Sequence, residues 1–168
     1  VLKPAPETPL DMLAFAEIVD AAGLPEGVVS ILPADREVGE HLVRHPDVDK
    51  VAFTGSTAVG RHIGAICGEQ LKRCTLELGG KSAAVIREDA DLATTIPGLL
   101  PFAIMNNGQA CVAQTRILAP RHRYDEVVEA LVEAVRAMPV GHAADPTTEV
   151  GPLVSERQRE RVEGYLAI

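Results

Sequence analysis

Apolar positions along the chain follow two alternating periods. Met12, Ala16 and Val19, with Leu13 beside them, recur at i, i+4 and i+7 and predict a helix. Its start is read at Thr8-Pro9, a hydroxyl cap followed by a residue whose missing N–H is not needed in the first turn. Gly23, free to take positive φ, closes it. Val28-Val29-Ser30-Ile31-Leu32 is compact and β-branched and predicts a strand. Val38, Leu42 and Val43 predict a helix that stops before Pro46. Val51-Ala52-Phe53 predicts a second strand, Ser56 to Cys67 a helix with Val59, Ile63 and Ile66 on one side, and Thr75 to Leu78 a third strand.

Beyond Gly79-Gly80, where the direction changes sharply, Ser82 to Ile86 predicts a strand and Asp89-Ala90-Asp91 an acidic helix entry. Arg116 to Ala119 predicts another strand. Tyr124, Val127, Val128, Leu131, Val135 and Met138 predict a helical face, and Ser155-x-x-Gln158 a capped final helix. Strand and helix alternate through residues 1–78, which argues for an α/β fold with a parallel sheet and helices on its faces. A domain boundary is expected near Gly79-Gly80, giving segments 1–79 and 80–168. The chain opens Val-Leu-Lys-Pro and ends inside a helical pattern, so we expect a piece of a longer subunit.

Composition narrows the partners. The chain of 168 residues carries 16 Lys+Arg against 24 Asp+Glu, a net charge of −8, which argues against a nucleic-acid surface built on clustered cations. Aromatics are 3% and Trp is absent, so a base-stacking platform is not expected either. The longest apolar run, Ile96 to Met105, is interrupted by Pro97 and Pro101 and is too short to span a membrane. Cys67, Cys74 and Cys111 are odd in number and without C-x-x-C spacing, which predicts neither a disulfide framework nor a zinc ribbon and suits a reduced, cytoplasmic setting. No metal site is expected: His41 and His45 stand at i, i+4, but Leu42 occupies the position where a zinc protease needs Glu.

Three stretches hold candidate chemistry. In Phe53-Thr54-Gly55-Ser56-Thr57-Ala58-Val59-Gly60 a strand turns into a helix, whose first N–H groups lack internal partners and attract phosphate. A phosphate turn and a plain strand-to-helix turn both fit, and the G-x-x-x-x-G spacing matches neither the usual dinucleotide fingerprint nor a Walker loop. Glu77 sits between Leu76 and Leu78, where burial would raise its pKa and suit a general base; an edge strand with Glu77 in water is the alternative. Cys111 follows Asn106-Asn107-Gly108-Gln109-Ala110, and a tight turn at Gly108 would set the thiol at a helix N-terminus, where a thiolate is favoured; an inert packed Cys is the alternative. Cys67 and Cys74 are assigned to packing.

Together, Phe53-Thr54-Gly55-Ser56-Thr57-x-x-Gly60, Leu76-Glu77-Leu78-Gly79-Gly80-Lys81, Gly108-Gln109-x-Cys111 and the opening Lys3-Pro4-Ala5-Pro6-Glu7-Thr8-Pro9 resemble the aldehyde dehydrogenase superfamily in order and spacing. The resemblance implies that segment 1–79 is part of a Rossmann-like cofactor domain and segment 80–168 the start of an α/β catalytic domain. It implies Cys111 as nucleophile and Glu77 as general base. Thr54, Gly55, Ser56 and Gly60 would form the cofactor turn, Val59 the adenine slot, and Lys3 a ribose contact. The Leu78 carbonyl would hold the nicotinamide amide. NAD is the implied cofactor; NADP also fits, since Pro6 stands where many members have a ribose-binding Glu and Glu7 only follows it. The implied partners are a small aldehyde and, for the whole subunit, further copies of itself. The implied reaction runs through a cysteine thiohemiacetal and thioester to a carboxylate, with the segment alone inactive. A non-catalytic dinucleotide-binding module of the same fold, and a cofactor-free thiol esterase, are the competing readings.

Overall fold

The computed structural model describes residues 1–168, which divide into two compact units, Val1–Glu77 and Leu78–Ile168. The first unit contains helix α1 (Leu10–Ala21), helix α2 (Arg36–Arg44), strand β1 (Lys50–Gly55), helix α3 (Thr57–Glu69) and strand β2 (Arg73–Leu78), which runs up to the division. β1 and β2 hydrogen-bond side by side, with α3 between them in the chain. The core is small: Val43 of α2 packs with Ile63, Ile66 and Cys67 of α3, and Val51, Phe53 and Leu76 of the strands close over them. The spacing of Gly60, Ile63, Ile66 and Cys67 puts one helix face inside.

Two expectations change here. Pro9, not Thr8, is the residue before α1, and no side chain caps that helix; Gly23 does turn left-handed after it, at φ +65°. The strand expected at 28–32 shrinks to one parallel bridge, Leu2 with Ile31, carried by Leu2 N–H to the Ser30 carbonyl (2.7 Å) and Leu32 N–H to the Leu2 carbonyl (2.8 Å). Pro4 and Pro33 have no N–H to extend the ladder.

The turn from α3 into β2 does more than reverse the chain. Leu71 adopts φ +53° and is 94% exposed. Behind it, the Lys72 ammonium donates to the carbonyls of Val43 and His45, both at 2.8 Å, and Gln70 Nε2 donates to the Arg44 carbonyl at 3.2 Å. A cation and an amide thus satisfy the orphan carbonyls that end α2.

The second unit holds strand β3 (Ala83–Val85), helix α4 (Leu92–Ala103), strand β4 (Arg116–Leu118), helix α5 (Tyr124–Ala137) and helix α6 (Glu156–Leu166). β3 and β4 are parallel, with Ala83, Ala84 and Val85 opposite Arg116, Ile117 and Leu118. Ile86, Leu92, Ile96, Leu99, Leu100 and Val127 form the core. α4 passes through Pro97 and Pro101 without ending. Each proline forfeits one helical hydrogen bond, and burial of five apolar residues along the same helix offsets the loss. Asp91 caps α4 through the Ala93 N–H (3.2 Å), and Ser155 caps α6 through the Gln158 N–H (3.4 Å).

The inward face of α5 is Val127, Ala130, Leu131, Ala134 and Met138 just beyond its end, whereas Tyr124, Val128 and Val135, expected on it, are exposed. The helical period sets Tyr124, Val128 and Val135 on the flank of the face that Val127, Leu131 and Ala134 define. Arg123, one residue before α5, donates to the Glu88 and Ala90 carbonyls at 2.9 and 2.8 Å and pairs with Glu126. No helix is long and apolar enough to cross a membrane.

Leu71 sits in a conformation that costs an L-residue with a Cβ about 1–2 kcal/mol and has no packing to lose. Leu71→Gly is therefore expected to stabilise the protein by about 0.5–1 kcal/mol in urea denaturation; a loss of stability would show that the exposed leucine is held by something else.

Candidate active site

β1 delivers Thr54 and Gly55 to an exposed turn, and Ser56 starts α3. The Ser56 hydroxyl accepts from the Val59 N–H at 3.4 Å, and its carbonyl accepts from the Gly60 N–H at 2.9 Å. The N–H groups of Thr57 and Ala58 have no side-chain cap, and no acidic residue lies in the first turn. The positive end of a 13-residue helix is thus exposed and uncompensated. Val59 is 41% exposed beside it, whereas Gly60 is buried. At Gly55 a Cβ would overlap the Phe53 ring.

Lys3 lies in the same unit. Its ammonium donates to the carbonyls of Pro4 (2.6 Å) and Ala34 (2.9 Å), which uses two of its three protons. The side chain runs over Gly39 of α2: a Cβ there would come within 3.3 Å of the Lys3 Cε. Gly39 was not legible as a site residue, because nothing in its local sequence marks it. Pro6 and Glu7 occupy an exposed turn closed by the Thr8 N–H to the Ala5 carbonyl at 3.1 Å. Between α2 and α3 an open groove of about 560 Å³ is lined by Arg36, Glu37, Glu40 and His62. Glu40 accepts from Arg44 (2.7 Å) and meets the His62 ring (2.8 Å); these partners, His62 first, hold its carboxyl below the usual 4.5.

On β2, Leu76 and Leu78 are half-buried while Glu77 between them is exposed. Of the two readings of this stretch, the strand with Glu77 in water is the one found: alternation along the strand turns Glu77 away from the face that packs on α3.

Cys111 is exposed, on the second unit. It is not at a helix N-terminus. After α4, residues Met105–Gly108 form a single 3₁₀ turn in which Asn106, Asn107 and Gly108 take φ of 50°, 58° and 77°. Three left-handed residues in succession end the helix and reverse the chain. Cys111 and Val112 then occupy the tip of a turn closed by the Ala113 N–H to the Ala110 carbonyl (3.2 Å), and Gln114 ties the loop back to the Phe102 carbonyl of α4 (3.2 Å). No helix follows, because Arg116 enters β4.

The thiol-bearing loop is held on all sides. Asn106 and Gln109 exchange side-chain bonds with each other's carbonyls at 3.4 and 3.0 Å. Asn107 clamps the 151–152 segment, accepting from the Gly151 N–H (2.9 Å) and donating to the Pro152 carbonyl (3.1 Å), and Gln109 accepts from the Val154 N–H (3.2 Å). The backbone N–H groups of Cys111 and Val112 take no protein acceptor. A Cβ at Gly80 would stand 3.8 Å from the Cys111 carbonyl. The Gly79-Gly80 stretch just after β2 therefore runs beside the loop. The clamping roles of Asn107 and Gln109 depend on residues more than forty positions away, so no local signal announces them.

His41 and His45 meet edge to face, ring centroids 5.5 Å apart, and His45 Nδ1 accepts from the Asp47 N–H. Cys67 is 1% exposed and packs in the core as expected, but Cys74 is exposed.

A model of the aldehyde dehydrogenase family matches residues 1–168. The chain is 53% identical over 168 residues to a geranial dehydrogenase of Castellaniella defragrans, which covers all of this chain and 35% of that protein. It superposes on a Mycobacterium tuberculosis aldehyde dehydrogenase complexed with NAD+ with a TM-score of 0.96 at 58% identity, covering 99% of this chain and 34% of the other. An aldehyde dehydrogenase from Bacillus cereus in its NAD+ complex gives 0.94 at 45% identity over 99% of this chain and 34% of that one. The chain thus spans about a third of the length of the relatives it matches.

Glu40 is ionised more readily in the folded protein than in the unfolded chain. Its contribution to stability is complete above the unfolded value and is lost as pH falls through the lower folded value. Glu40→Gln is expected to flatten the fall of the melting temperature below pH 4.5 relative to the unsubstituted protein; parallel acid limbs would refute it.

Proposed function

The chain belongs to the aldehyde dehydrogenase family, and from that premise we propose that it supplies the nucleophile, the general base and much of the cofactor cradle for NAD-dependent oxidation of an aldehyde to a carboxylate. The cradle is the carrying observation: an α3 N-terminus where Ser56 caps only the Val59 N–H, leaving those of Thr57 and Ala58 open, and approached through Gly55, suits a pyrophosphate. Solved relatives bound to NAD+ support the same cofactor. In this reading segment 1–79 belongs to the cofactor domain and segment 80–168 to the catalytic domain. Thr54, Gly55, Ser56 and Gly60 form the phosphate turn, and Val59 offers an apolar contact to the adenine. Lys3, steered past Gly39 with one proton to give, reaches the ribose. The Leu78 carbonyl accepts from the nicotinamide amide.

The chain's own residues then perform the acyl chemistry. The Cys111 thiolate adds to the aldehyde carbon, and the carbonyl π pair moves onto oxygen. The N–H groups of Cys111 and Val112, which have no protein acceptor, are available to that oxyanion. Because Asn106, Asn107 and Gln109 fix the loop before substrate arrives, little ordering is left to do at the moment of attack. NAD held by these residues would supply the hydride acceptor that lets the adduct become a thioester. Glu77, exposed on β2, removes a proton from water; the hydroxide adds to the thioester, and collapse expels the Cys111 thiolate and frees the carboxylate. The full reaction belongs to the longer subunit, since the chain is about a third of its relatives.

In the full-length protein, Cys111→Ala is expected to abolish aldehyde-dependent NADH formation. Glu77→Gln should keep a rapid first turnover and lower steady-state turnover by about 10²–10⁴-fold. A Glu77→Gln enzyme with unchanged steady-state rate would remove Glu77 from the role. The isolated 168-residue chain should form no NADH from aldehyde, and any sustained turnover by it would overturn that part of the reading.

A further inference from the structure

The sequence assigns Cys67 and Cys74 alike to packing, yet their surroundings differ. Cys67, in the last turns of α3, is 1% exposed; Cys74, on β2, is exposed. The helix and the strand run past each other in opposite directions and meet at two levels. At the first, a Cβ on Gly64 would lie 3.5 Å from Leu76 Cδ1. One helical turn on from Gly64 is Cys67, and two strand positions back from Leu76, on the same face, is Cys74. The second level is therefore Cys67 against Cys74. The Lys72 N–H to Cys67 carbonyl bond, at 2.8 Å, closes the turn between them and fixes the register.

We propose that Cys67 and Cys74 form a reversible dithiol–disulfide pair, oxidised by a small-molecule disulfide such as oxidised glutathione. Exposed Cys74 acts first: its thiolate attacks one sulfur of the oxidant, releases one glutathione thiolate and leaves a mixed disulfide on Cys74. The Cys67 thiol then loses its proton, attacks the Cys74 sulfur and expels the second glutathione. Two protein thiols and one oxidised glutathione become one protein disulfide and two reduced glutathiones. The order of attack follows from environment, since burial and the adjacent Cys74 both raise the Cys67 thiol, only partly opposed by Lys72. The bond would staple the end of α3 to the start of β2. The pair is separate from Cys111, and its test does not pass through turnover.

In the full-length chain carrying Cys111→Ala, treatment with oxidised glutathione under native conditions is followed by denaturation, alkylation and tryptic digestion without reductant. Peptide 62–72 should appear joined to peptide 74–81, with neither cysteine of the pair alkylated. A lasting Cys74–glutathione adduct with Cys67 still alkylated would overturn the proposal. So would oxidation of Cys67 in a chain that also carries Cys74→Ser. The same joined peptides are expected from the chain with all three cysteines, which removes any dependence on how Cys111→Ala folds; predominant linkage of either residue to Cys111 there would also overturn it.

Discussion

The inward face of α3 governs the first unit. Ile63, Ile66 and Cys67 are held under Val51, Phe53 and Leu76, and this contact fixes three things. It aims the start of the helix, with its open Thr57 and Ala58 N–H groups, outward at the end of β1. It lays β2 along the helix so that Leu76 turns in and Glu77 turns out. It also sets where the chain must reverse, at Gln70-Leu71-Lys72, from which Lys72 reaches back to finish α2. A few buried side chains thereby orient a positive helix end, a carboxylate and a neighbouring helix at once.

The second unit solves a different problem, the presentation of one thiol on a short exposed turn. A helix N-terminus would have provided a favourable field. Here the chain uses rigidity instead: left-handed asparagines stop α4, the amides of Asn107 and Gln109 clamp the 151–154 segment, and the loop is anchored to α4 and β4 at its far side. The backbone donors beside Cys111 are left without a protein acceptor in this arrangement.

Much of this was legible in the residues. The periodicity of Ile63 and Ile66, the cap at Ser155, the acidic helix entry at Asp91 and the strands beyond residue 50 follow from local pattern, and each appears where expected to within a few residues. The departures have physical causes. A β-branched run at 28–32 became a single bridge because prolines deny it a ladder. Local pattern leaves Glu77 open between burial and water, and strand alternation puts it in water. Cys111 lacks a helix because its approach is built from three left-handed residues, a property that Asn-Asn-Gly permits without requiring. The contacts of Asn107, Gln109 and Gly39 join positions far apart in the chain, and no window along the sequence contains both partners.

Gly39 contributes to its surroundings by what it lacks. A methyl group at 39 would press on the Lys3 stem at 3.3 Å, so positions 3 and 39 touch and their substitutions are coupled. A side chain at 39 shifts the stem by a few tenths of an ångström, and with it the ammonium at its end. An inventory of polar atoms would overlook the residue against which one of them is set.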